Sequence, residues 1–107
     1  MYHEDLAQGR WQTMTLAEQL GNVGSEFSRA IKAREAGNQG RFENASDRFL
    51  ELLDLTVVDP RWRGYRRREL ARVKEASGET LYGIDQSGAA SLEKYFFQFA
   101  LLARANK

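Results

Sequence analysis

No cysteine occurs in this chain, and proline and histidine occur once each. The missing thiols exclude disulfides, thiolate metal sites and a cysteine nucleophile. The lone histidine, His3, lies at the N-terminus, remote from every serine that it would have to activate. Runs of apolar residues are short, and none approaches the roughly 20 needed to span a membrane. The opening Met1-Tyr2-His3-Glu4-Asp5 is acidic where a secretory signal carries positive charge, and no apolar segment follows. Net charge is only +1, so no global basic field draws in nucleic acid. A cytoplasmic protein without cofactor, metal or membrane contact is the expectation.

What is present is helical punctuation. Hydrophobic residues make up 42% and charged residues 29% of 107 residues, which fits one globular domain. Thr15-Leu16-Ala17-Glu18 has capping-box spacing. Leu16, Leu20, Val23, Phe27, Ala30 and Ile31 then recur at three- and four-residue steps, and Gly37 marks a stop, which predicts a first helix over 15–36. Phe42, Ala45, Phe49, Leu52, Leu53 and Thr56 predict a second helix over 41–57, ended by Asp59-Pro60. A third helix is expected from Pro60, N-capped by Asp59, with Trp62, Tyr65, Glu69, Val73 and Ala76 on one side and Gly78 closing it. The stretch 79–88 reads as a loop, with Thr80-Leu81-Tyr82 either extended or one more helical turn. Leu92, Tyr95, Phe96, Phe99, Leu102 and Ala103 predict a fourth helix over 89–104. The fold class is therefore all-α, an antiparallel up-down bundle of about four helices. Residues 1–12 form an N-terminal segment whose Leu6 and Trp11 are expected to pack on the bundle.

The densest local signal is Arg61-Trp62-Arg63-Gly64-Tyr65-Arg66-Arg67-Arg68, continued by Arg72 and Lys74. On a helix, Arg63, Arg67 and Lys74 share one flank and Arg61, Arg68 and Arg72 the other, a strip that can contact a phosphate backbone or another anion. Trp62 and Tyr65 lie toward the apolar side and read as core rather than as base-stacking rings. Glu43, Asp47, Glu51 and Asp54 step along helix 2, an acidic stripe that could pair with the basic one. A metal site there would need histidine support, which is lacking. Arg34, Asp54, Arg66 and Glu69 flank apolar faces and are candidates for a buried ion-pair network, or for a small-anion site around Arg66.

Helix 1 carries a second face of Ala17, Gly21, Gly24 and Ser28, which points to close packing of another helix, within the chain or from a second copy. Phe97 and Leu101 lie off the core stripe of helix 4, as Leu50 and Val57 do on helix 2. Such surplus apolar surface predicts a contact, and a homodimer is the expected assembly. Gly21-Asn22-Val23-Gly24-Ser25 lacks the lysine and the strand of a phosphate-binding loop.

Several segments carry a family resemblance. They are Glu18-Gln19-Leu20 with Gly24-Ser25-Glu26, Leu52-Leu53-Asp54-Leu55-Thr56 with Asp59-Pro60, the arginine-rich start of helix 3, and Tyr95-Phe96-Phe97-Gln98-Phe99 with Ala103-Arg104. From Trp11 to Arg104 the chain resembles a group of small uncharacterised bacterial and archaeal all-helical proteins, a signature without known chemistry. The layout also looks like HEPN-type helical bundles. That likeness implies dimerisation, nucleotidyltransferase-like partners and an RNA-linked or toxin–antitoxin setting. Active HEPN members cleave RNA with an arginine followed, after a short polar spacer, by a late histidine, and no histidine follows His3 here. The expected function is a non-enzymatic helical interaction module, homodimeric, with an unidentified protein partner. The alternatives are RNA or DNA binding by helix 3 and a small-anion enzyme.

Overall fold

The computed structural model describes residues 9–105. Leu6 and His3 lie outside them. Four helices follow a short 3₁₀ turn at Trp11–Thr13: α1 (Leu16–Glu35), α2 (Gln39–Val57), α3 (Tyr65–Tyr82) and α4 (Ala89–Ala105). Cross-helix contacts fix their directions. Glu26 meets Arg48 while Trp11 meets Thr56, so α1 and α2 run antiparallel. Gly21 lies under Ala100 and Gly24 under Phe96, so α4 also opposes α1. Asp54 meets Lys74 and Phe42 meets Tyr82 across α2 and α3, and Glu69 meets Tyr95 across α3 and α4. The result is an antiparallel bundle in which α1 is central and α3 packs most sparsely.

The capping box at the start of α1 forms as its spacing predicts. Thr15 Oγ1 accepts from the Glu18 amide at 3.1 Å, and Glu18 Oε1 accepts from the Thr15 amide at 2.8 Å. Gly37 closes the first turn at φ 72°, a left-handed conformation that suits glycine. The core centres on Phe27, Phe49 and Phe96, whose ring centroids lie 5.3–5.8 Å apart in tilted and edge-on pairs. Trp11 is buried against the same cluster, as expected for the N-terminal segment.

Helix α3 departs from expectation at both ends. It begins at Tyr65 rather than Pro60, because Asp59 caps no helix: its carboxylate accepts from the Arg61 amide and the Arg61 guanidinium. Gly64 then adopts φ 62°, a second turn before the helix starts. The far end runs through Gly78 to Tyr82, which settles Thr80-Leu81-Tyr82 as helical turn. A glycine inside a helix costs about 1 kcal/mol. Burying a leucine such as Leu81 returns about 1.5–3 kcal/mol, so packing decides. The buried face is accordingly Leu70, Val73, Ser77, Thr80 and Leu81. Tyr65 and Ala76, expected on the core side, are exposed. On α4, Leu102 is likewise half exposed rather than core.

Candidate functional site

The arginine run does not form the open strip that its helical projection suggests. Arg61 lies before α3 and donates to Asp59 Oδ2 at 2.8 Å and to the Met14 carbonyl at 2.7 Å. Its guanidinium stacks 4.5 Å above the Trp62 ring. Arg63 donates to the Pro60 carbonyl at 2.8 Å, and Arg67 donates to the carbonyls of Trp62 and Asp59 at 3.2 and 3.3 Å. These three arginines wrap the α2–α3 connection and satisfy carbonyls that no helix satisfies. Lys74 pairs with Asp54 at 2.5 Å. Arg68 and Arg72, four residues apart on α3, point outward without a partner among the described residues.

Behind the arginines lies a buried polar network. Gln19, fully buried, donates through its carboxamide to the Trp11 carbonyl at 2.9 Å and to Asp59 Oδ2 at 3.1 Å. Its oxygen accepts from the Trp62 indole at 2.8 Å. The Trp11 indole donates to Thr56 Oγ1 at 3.0 Å, and Thr56 donates onward to the Leu52 carbonyl. The Arg61 guanidinium holds the Asp59 carboxyl at a pKa of about 2, overriding the upward push of burial. Spacing along the sequence does not reveal this cluster, because it joins residues 11–19 to residues 56–62 through bonds that span 40 or more positions.

The four residues expected to form one buried ion network do not converge. Arg34 donates to the Thr80 carbonyl at 2.6 Å and lies over Phe42. Asp54 belongs to the surface pair with Lys74. Arg66 and Glu69 approach to 3.7 Å, both about one-third exposed, and Glu69 also accepts from Tyr95 Oη at 3.2 Å. Burial, with that carboxylate beside it, raises the Tyr95 pKa. Among the described residues the buried carboxylates are instead Asp59 and Glu26. Glu26 bridges α1 and α2 by accepting from Arg29 through one oxygen and from Arg48 through the other, the latter at 2.8 Å.

The small-residue face of α1 is occupied by α4 of the same chain. A methyl group on Gly21 would lie 3.2 Å from the Ala100 Cα, one on Gly24 would overlap Phe96, and Ser28 donates to Glu93 at 3.0 Å. Ala17 is buried at the start of the same helix. Phe97 and Leu101 remain about half exposed on the outer side of α4. Among the described residues, no group of three or more histidine, cysteine, aspartate or glutamate side chains is placed to hold a metal ion. No described helix is long and apolar enough to cross a membrane.

Comparison of the chain with protein-family models, curated proteins and solved structures finds no match.

Proposed function

We propose that this chain is a non-enzymatic helical interaction module of the cytoplasm that forms a homodimer through α4 and acts on an unidentified protein partner. The observation that carries this reading is the outer side of α4. Phe97, Leu101 and Leu102 are 54%, 48% and 50% exposed, and Lys94 and Arg104 are the exposed charges of the whole helix. A solvent-facing helix normally balances its apolar stripe with a charged face. Here one face covers α1 and the other presents aromatic and leucine side chains to solvent. The absence of cysteine suits a reducing compartment, and the HEPN-like layout supports pairing of copies.

Sedimentation equilibrium at micromolar concentration tests the assembly. The expected species is a dimer, which a Phe97→Glu/Leu101→Glu variant converts to monomer. A wild-type species of 12.2 kDa across the range sinks the reading.

Arg68 and Arg72 support a second reading, a nucleic-acid contact on α3, since both are exposed and unpaired among the described residues. Loss of oligonucleotide binding in Arg68→Glu/Arg72→Glu would favour it.

A further inference from the structure

A second basic surface lies away from the arginine run. Between the end of α1 and the start of α2 runs a groove of about 510 Å³, within the size range of small-ligand sites. Arg29 and Lys32 line it from α1, Arg41 and Arg48 from α2, with the carboxamides of Asn38 and Asn44 between them. Among the described residues no carboxylate lines it, and Ala33, Ala36 and Ala45 complete the lining.

One acid is built into the support. Glu26, only 6% exposed, sits behind the groove and holds Arg29 and Arg48, one by each oxygen. That bridge fixes two guanidiniums across two helices while one of them, on Arg29, stays 64% exposed. Asn38 Oδ1 caps α2 by accepting from the Arg41 amide at 3.1 Å, which sets the backbone from which Arg41 projects. Lys32 and Arg41 are exposed and have no partner among the described residues. Planar guanidinium forks beside a mobile ammonium suit the several oxygens of a phosphate better than a single carboxylate.

We propose that the α1–α2 groove binds a multiply charged phosphate ligand. Two sources share that chemistry, a free oligophosphate and a single-stranded nucleic-acid backbone. The second is accommodated because Arg29 and Lys32 also line the neighbouring α1–α4 groove, where Lys94 and Arg104 extend the positive lining and Glu93 is engaged by Ser28.

The test compares the wild type with Lys32→Glu/Arg41→Glu, and with Arg68→Glu/Arg72→Glu, a control of equal charge change that also reads the rival contact on α3. Thermal unfolding with inorganic tripolyphosphate reads the first source, and anisotropy of a labelled single-stranded oligonucleotide at low salt reads the second. Binding of either probe that falls about tenfold or more in the groove variant, and less than about twofold in the control, supports the site. A tripolyphosphate response alone assigns the free source. Oligonucleotide binding with a log–log salt slope of about −2 or steeper assigns the backbone. Unfolding midpoints without ligand should match in all three proteins, since the altered side chains are unpaired. No response to either probe overturns the proposal, as does equal loss in the control.

Discussion

Gly24 lies directly beneath Phe96, so close that a side chain of even one carbon would overlap the phenylalanine Cβ. The contact brings α4 onto α1 and lets Phe96 reach Phe27 and Phe49. Gly24→Ala should therefore lower stability by about 1–3 kcal/mol, although alanine is the better helix former by about 1 kcal/mol. Gly78→Ala is the matched contrast. Nothing lies within 4 Å of a methyl group there, so helix propensity acts alone and stability should rise by about 0.5–1 kcal/mol. Urea unfolding of the two variants checks the opposite signs.

Gln19 serves three partners at once, and no apolar residue can replace it. Gln19→Leu leaves the Trp62 indole and the Trp11 carbonyl without their bonds and takes one donor from Asp59. The expected cost is about 2–4 kcal/mol, measured by chemical denaturation. A change below about 0.5 kcal/mol would show that the network is incidental to stability.

The Asp59 carboxyl is depressed from 3.8 to about 2 in the folded chain. A carboxyl with a lower pKa when folded adds stability above its unfolded pKa, and that stability is lost as pH falls through the folded value. The contribution at neutral pH is roughly 2 kcal/mol. Unfolding of the wild type and Asp59→Asn should differ by about that much at neutral pH. The difference should close between pH 3.8 and about 2.

Ser46 Oγ and Ser77 Oγ are buried without a hydrogen-bond partner among the described residues. Each hydroxyl lost its water on folding and gained nothing in exchange. Ser46→Ala and Ser77→Ala should each raise stability, by up to about 1 kcal/mol, in thermal unfolding. A drop in either midpoint would reveal a bond that the static geometry does not contain.

The features legible in the sequence were those coded by neighbours. Thr15 and Glu18 are three residues apart, so their capping box could be read directly, and Gly37 announced the end of α1. The glycines at 21 and 24 signalled a close helix but not its origin, which turned out to be α4. Helix α3 was misread because its apolar residues are few and the aromatics at 62 and 65 set the wrong frame. Trp62 lies outside the helix and Tyr65 faces solvent. The arginine run looked like a surface because side-chain sequence says nothing about unsatisfied carbonyls nearby. Those carbonyls claim Arg61, Arg63 and Arg67. The basic groove stayed hidden for the reverse reason, since Arg29, Lys32, Arg41 and Arg48 never form a run.

Both tryptophans of the chain lie in the Gln19 network, Trp11 through its carbonyl and Trp62 through its indole. Intrinsic fluorescence thus watches one corner of the molecule, where the N-terminal turn meets α1 and the end of α2. Helix α4 carries no tryptophan and would leave its seat unseen by that signal. Unfolding followed by fluorescence and by far-ultraviolet dichroism together would therefore act as two separate cameras, one on the corner and one on the whole bundle. A lag between the two records would time the release of α4.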